Sequence, residues 1–220
     1  MTTQQDNMPQ VKQFWNDVAH QFDAIYTGNK SPIARALDKW LRRDIYQRFD
    51  WVMEQSGDVR GKRICDVGCG SGRFVTALAQ RGADHVTGID IAPEMLTLAR
   101  QLATKDGVIG RCTFINTDVN DWHTDEQFDE TIAIGFWDYI ANPKSRLDVI
   151  RSFTKGRFLS AWPRAGTLRA PIRKVRLTAL GCPVYFFHKE DVYRMLQDAG
   201  FRVDSCEVLG QLYCVSATAV

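Results

Sequence analysis

Between Val149 and Lys189 the chain has no Asp or Glu, although 26 acidic side chains occur in its 220 residues. The same stretch carries Arg151, Lys155, Arg157, Arg164, Arg169, Arg173, Lys174, Arg176 and Lys189. One segment is therefore strongly basic and the remainder is net acidic, which the overall charge of +2 conceals. No apolar run approaches the roughly 18 residues that span a bilayer. The opening MTTQQDNMPQ lacks the basic start and apolar centre of a signal peptide, so a cytoplasmic protein is expected. The six cysteines form no C-x-x-C pair, and the four histidines have no nearby partner at zinc-ligand spacing. No metal site is expected. Repeats, low-complexity tracts and long linkers are also missing.

What is present is a change of rhythm. Residues 1–10 are polar and read as a disordered tail. From Pro32 to Gln55, Ile33, Leu37, Leu41, Ile45 and Phe49 recur every fourth residue, the stripe of an amphipathic helix. Trp40 and several basic residues in that helix leave a membrane-surface role open beside core packing. Beyond Gly61, short apolar strands alternate with helices. Strands are predicted at 63–67, 86–90, 112–117, 129–134, 157–161, 202–209 and 212–218. Helices are predicted at 72–81, 93–103, 144–153 and 189–199. This alternation predicts an α/β fold: a doubly wound, mostly parallel, seven-stranded sheet with an N-terminal helical lid over residues 11–58. Residues 59–220 then form the main domain, with an insertion at about 164–187. Ligands of such sheets sit at the carboxyl ends of the strands.

The first strand runs into "ICDVGCGSGRF", in which Asp66 is followed by Gly68, Gly70 and Gly72. A dinucleotide fingerprint places its third glycine three residues after the second, and Arg73 holds that place here. A NAD(P) oxidoreductase is therefore disfavoured. The D-x-G-x-G-x-G form resembles the first motif of class I S-adenosylmethionine (SAM) methyltransferases. Two further acids stand at the next strand ends, Asp90 in "VTGIDIAPEML" and Asp118 in "FINTDVND". The resemblance implies SAM as cofactor, with S-adenosylhomocysteine as product. It assigns the methionine end to Asp66, Gly68, Gly70 and Gly72, the ribose to Asp90, and the adenine to Asp118 and Val119. Ile91 and Gly135 complete the implied cofactor set. A SAM-binding domain that transfers nothing stays open as an alternative.

Methyl transfer demands alignment of the nucleophile and exclusion of water, so a fixed catalytic residue is not obligatory. Candidates are Tyr26, Asp138, Tyr139 and His188. The loop "GFWDYIANP" follows the fourth strand and lacks the [DNS]-P-P-[FYW] motif of methyltransferases acting on base amines. No RNA-binding module is recognisable, and no nucleic-acid partner is expected. Arginine binds carboxylates and phosphates through forked, charge-assisted bonds. Trp137, Arg164, Arg169, Arg173 and Arg176 are therefore expected to line the site of a small anionic acceptor, with O-methylation favoured over N-methylation. Within the class, the arrangement is most similar to magnesium-protoporphyrin IX O-methyltransferases. The shared features are Ile25–Tyr26, the strand end Ser160–Pro163, the basic insertion, and His188, Lys189 and Glu190 at the next helix start. One position departs: Ala141 stands where that family has a histidine two residues before the loop proline, here Pro143.

Overall fold

A computed structural model describes residues 7–27, 43–167 and 169–220, with backbone alone for 20–27, 43–45 and Arg169. Among the described residues two helices come first, α1 (Met8–Thr27) and α2 (Arg43–Ser56). The alternating region follows as β1 (Arg63–Val67), α3 (Arg73–Gln80), β2 (His85–Asp90), α4 (Pro93–Lys105), β3 (Cys112–Asn116) and β4 (Phe128–Ile134). It continues as α5 (Pro143–Phe153), β5 (Thr154–Pro163), α6 (Arg169–Ala179), α7 (Lys189–Asp198), β6 (Phe201–Leu209) and β7 (Leu212–Ala219).

The seven strands form one sheet in the order β3-β2-β1-β4-β5-β7-β6. β1 pairs in parallel with β2 and β4, and β3 and β5 extend the parallel part outward. β7 inserts antiparallel between β5 and β6. The strand order reverses beside β1, so the crevice between the carboxyl ends of β1 and β4 is the expected ligand site.

Strand residues alternate between two apolar layers, because successive side chains leave opposite faces of the sheet. Along β5, Phe158 and Trp162 join one cluster while Leu159 and Ala161 join the other. The first cluster holds Phe128, Phe153 and Phe201 with Val192 and Leu196 of α7. The second holds Trp51 and Val52 of α2 with Val75 and Leu78 of α3. Proline opens both α4 and α5 at the first turn, where a missing N–H costs nothing. The Asn142 side chain caps α5 by accepting from the Lys144 N–H at 3.3 Å.

The tail reading needs correction. α1 begins at Met8, so residues 8–10 are helical. Val11 and Ala19 are buried, and Trp15 packs against the cluster of Ala19, Ala92, Met95 and Leu98. Polar neighbours hide this stripe in a composition count. Of the amphipathic stretch 32–55, residues 32–42 lie outside the described residues. In the remainder, Phe49 stacks on Phe74 with ring centroids 5.3 Å apart.

Candidate functional site

A cavity of about 1020 Å³ opens at the carboxyl ends of the strands. Gly68, Cys69 and Gly70 line one wall, with Ile89, Asp90 and Ile91 at the end of β2 and Asp118 and Val119 after β3. Gly135, Phe136, Asp138 and Tyr139 after β4 line another. Helix α1 contributes Met8, Val11, Phe14, Trp15 and Val18, and α6 contributes Ile172, Arg173, Arg176 and Leu177.

The glycine loop is held down from below. The N–H groups of Gly68 and Cys69 both donate to the Ile89 carbonyl, at 2.8 and 3.0 Å. The Gly70 N–H donates to one Asp90 oxygen at 2.9 Å, and the Ala92 N–H to the other at 2.8 Å. These donors are spent on β2, whereas a pyrophosphate-binding loop keeps its N–H groups for the anion. A sulfonium ligand with an apolar thioether makes no such demand. Gly70 has φ +52° and nothing within 4 Å of where a Cβ would stand, so the loop leaves an open cradle on the cavity side. Gly72 differs. A Cβ there would lie 2.7 Å from Ala99 Cβ and 3.3 Å from Phe114, and Gly72 does not line the cavity. Its expected ligand role is corrected to one of close packing between the loop, α4 and β3.

Burial raises the Asp90 carboxyl above its usual range, and the Ala92, Gly70 and Ile91 N–H groups pull it back. Three N–H donors take three of the roughly four acceptor sites of this carboxylate, which leaves one for a ribose hydroxyl. Asp66 lies beneath the loop, fully buried and away from the cavity wall, with one oxygen lacking any hydrogen-bond partner among the described residues. Burial, reinforced by Asp90, raises its carboxyl well above the ordinary value. Asp66 does not line the cavity, so of a direct and a water-mediated approach to a ligand amino group its placement suits the second. Asp118 faces the cavity, but its oxygens are already engaged. One accepts from the Asn120 N–H at 3.0 Å, and the other pairs with buried Arg146 of α5 at 2.7 Å. The sequence gives no sign of this ion pair.

On the opposite wall Asp138 is 3% exposed and forms an ion pair with Arg173 at 2.5 Å. Its second oxygen has no hydrogen-bond partner among the described residues. Tyr139 meets Trp15 edge-on at 5.6 Å. Burial first, then the Asp138 carboxylate, holds its phenol well above the usual range, so it stays a donor.

Several expected site residues turn elsewhere. Trp137 is fully buried and stacks on Trp162 at 4.2 Å, while its neighbours Phe136, Asp138 and Tyr139 line the cavity. Arg164 lies over the Tyr213 ring and donates to the Gly210 carbonyl at 3.1 Å, away from the cavity. His188 is exposed at the N-cap of α7, a helix-start position outside the cavity. The side chains of Tyr26 and Arg169 lie outside the described residues. The sequence reading missed Trp15, Phe136 and Arg48. Arg48 of α2 lines the cavity beside Gly135, with a guanidinium nitrogen 3.3 Å from where a Cβ there would stand. It has no hydrogen-bond or ion-pair partner among the described residues. A basic residue on a predicted helix beside a candidate lid was the one available signal.

Sheet order, donor-filled glycine loop, open cradle and two strand-end carboxylates define a SAM-dependent methyltransferase. The chain belongs to the family described as methyltransferase domain, whose model matches residues 58–200, more than half of it. Ubiquinone biosynthesis O-methyltransferase of Aeromonas salmonicida (strain A449) is 35% identical over 108 residues, 49% of this chain and 45% of that protein. The same-named protein of Bordetella avium (strain 197N) is 35% identical over 100 residues, 44% of this chain and 40% of its own length. The chain thus spans less than half the length of these relatives. Among solved structures, magnesium protoporphyrin IX methyltransferase from Synechocystis PCC 6803 with bound SAH superposes with TM-score 0.81 at 22% identity. The match covers 97% of this chain and all of that one, and at this identity it speaks for the fold alone.

Proposed function

We propose that this SAM-dependent methyltransferase methylates an oxygen of a small anionic acceptor bound between Tyr139 and α6. One observation carries the reading: Arg173 and Arg176 of α6, from the acid-free segment, line the cavity that the glycine loop also lines. The relatives' names, which specify O-methylation, support the choice of atom.

When bound, SAM supplies a sulfonium-activated methyl carbon for in-line displacement. The chain supplies the rest. Arg48, whose guanidinium lies near Gly135 and has no hydrogen-bond or ion-pair partner among the described residues, pairs with the carboxylate of the methionine end. Asp66 answers its ammonium through water. Asp90 accepts from a ribose hydroxyl, and Asp118 with Val119 borders the adenine. Trp15 and Phe14 of α1 exclude water, as a lid does. Arg176 and the Arg173–Asp138 pair orient the acceptor anion. The second oxygen of Asp138, without a hydrogen-bond partner among the described residues, takes the acceptor's proton where it has one to lose.

Transfer from methyl-labelled SAM into a metabolite and lipid extract, separated by charge, tests this. Label in an anionic fraction of the starting acceptors is expected. Label confined to neutral or cationic acceptors refutes the clamp. Binding of SAM without any transfer favours a domain that holds the cofactor and does no chemistry.

A further inference from the structure

Large apolar side chains stand exposed at six described positions: Ile109, Ile172, Val175, Leu180, Val208 and Val220. Three of these fall within nine residues on α6 and the residue after its end. Ile172 is 70% exposed, Val175 72% and Leu180 61%. The other three are scattered. Helix α6 is seated by Ala170 and Leu177, at 8% and 7% exposure, which face the body of the protein. Ile172, Val175 and exposed Ala179 recur at intervals of three and four, so they share the outward face. Lys174 and Arg176 flank this stripe, both exposed and both without a hydrogen-bond or ion-pair partner among the described residues. No acidic side chain lies within the segment from Val149 to Lys189 to neutralise them.

We propose that the outer face of α6 docks on a bilayer rich in anionic phospholipid. An apolar stripe between lysine and arginine is the pattern of a helix lying in the interface plane. Val175 and Leu180 enter the acyl boundary and Lys174 meets the headgroup phosphates, while Ile172 and Arg176 stay at the cavity edge of the stripe. A second copy of the chain is a poorer occupant. Three aliphatic side chains offer a few hundred Å² at most, against about 800 Å² per partner in a stable interface. Two copies meeting through this segment also bring like charges together. Ile172, Arg173, Arg176 and Leu177 line the cavity from the flank of the same helix. Docking therefore sets the cavity mouth beside the headgroups, whatever the acceptor proves to be.

Vesicle flotation tests the surface without reference to catalysis. The full chain is mixed with phosphatidylcholine vesicles, with or without about a third phosphatidylglycerol. It is expected to float with the anionic vesicles at low salt, to stay behind with the neutral ones, and to lose about tenfold or more in binding at high salt. Val175→Ser/Leu180→Ser and, separately, Lys174→Gln should each cut binding about tenfold while SAM affinity, measured in parallel, stays unchanged. Failure to float with anionic vesicles at low salt overturns the proposal. So does undiminished flotation of a Val175→Ser/Leu180→Ser variant that still binds SAM. A concentration-dependent dimer abolished by that variant, with no vesicle binding, assigns the face to a second copy instead.

Discussion

Gly70 and Gly72 sit two residues apart in one loop with similar left-handed backbones, at φ +52° and +74°, yet alanine at each should fail differently. An L-residue in this region costs about 1–2 kcal/mol. Loss of glycine's unfolded-state freedom returns about 0.4–1 kcal/mol of that. Gly70→Ala, with open space around its new methyl, should thus destabilise the ligand-free protein by no more than about 1.5 kcal/mol. Its methyl fills the cradle, so SAM affinity should fall at least about tenfold. In Gly72→Ala the methyl meets Ala99 Cβ at 2.7 Å and Ala99 Cα at 3.1 Å, atoms that cannot swing aside. Overpacking adds about 1–3 kcal/mol, for a total near 3 kcal/mol. At about 2–4 °C per kcal/mol for a chain of this size, the melting temperature should drop by about 6–12 °C. SAM affinity measured well below that temperature should change by less than about threefold, since the methyl points away from the cavity. Thermal melts of the ligand-free proteins and calorimetric titration with SAM separate the two outcomes. Wild-type SAM affinity in Gly70→Ala refutes the cradle. Equal melting temperatures for the two variants refute the packing role of Gly72.

Arg48→Gln should weaken SAM binding about 10- to 150-fold, the value of a charge-assisted hydrogen bond, while its melting temperature holds; unchanged SAM affinity by calorimetry removes Arg48 from the cofactor site. Burial raises the Asp66 carboxyl, and the sign follows: a carboxyl raised on folding favours the native state below its unfolded value, and that contribution is lost as pH rises through the folded one. Asp66→Asn should therefore raise the melting temperature of ligand-free protein at pH 8 and leave it nearly unchanged near pH 4, while SAM binds more weakly; a lower melting temperature at pH 8 contradicts the burial argument. Asp138→Asn should reduce kcat by about 10²- to 10⁴-fold where the acceptor carries a proton, with SAM affinity unchanged. An equal loss of SAM affinity would instead make Asp138 structural.

The alternation of strands and helices was legible because each element carries its own period. Strands alternate over two residues and helices over about 3.6, and neither needs information from elsewhere in the chain. The sequence places β1 at 63–67, as the structure does, and the other six strands shift by one to three residues at their ends. Asp90 and Asp118 were legible for a related reason: carboxylates at the ends of parallel strands gather at one edge of the sheet. Helix α1 was not legible from its opening residues, since its apolar stripe begins within a polar decapeptide.

Direction within a loop was decided only by the tertiary structure. Trp137 and Tyr139 share one short turn, yet one enters the core against Trp162 and the other enters the cavity beside Trp15. Nothing in their spacing separates the two. Gly70 and Gly72 read alike until Ala99 and Phe114 are placed next to the second. Arg48 and Asp118 acquire their surroundings from elements 20 or more residues away, Gly135 for the first and Arg146 for the second. The chain by itself determined what is local: the periods, the left-handed glycines and the charge of a segment. Packing of distant elements decided which of those residues face the ligand, because that depends on which surfaces bury each other.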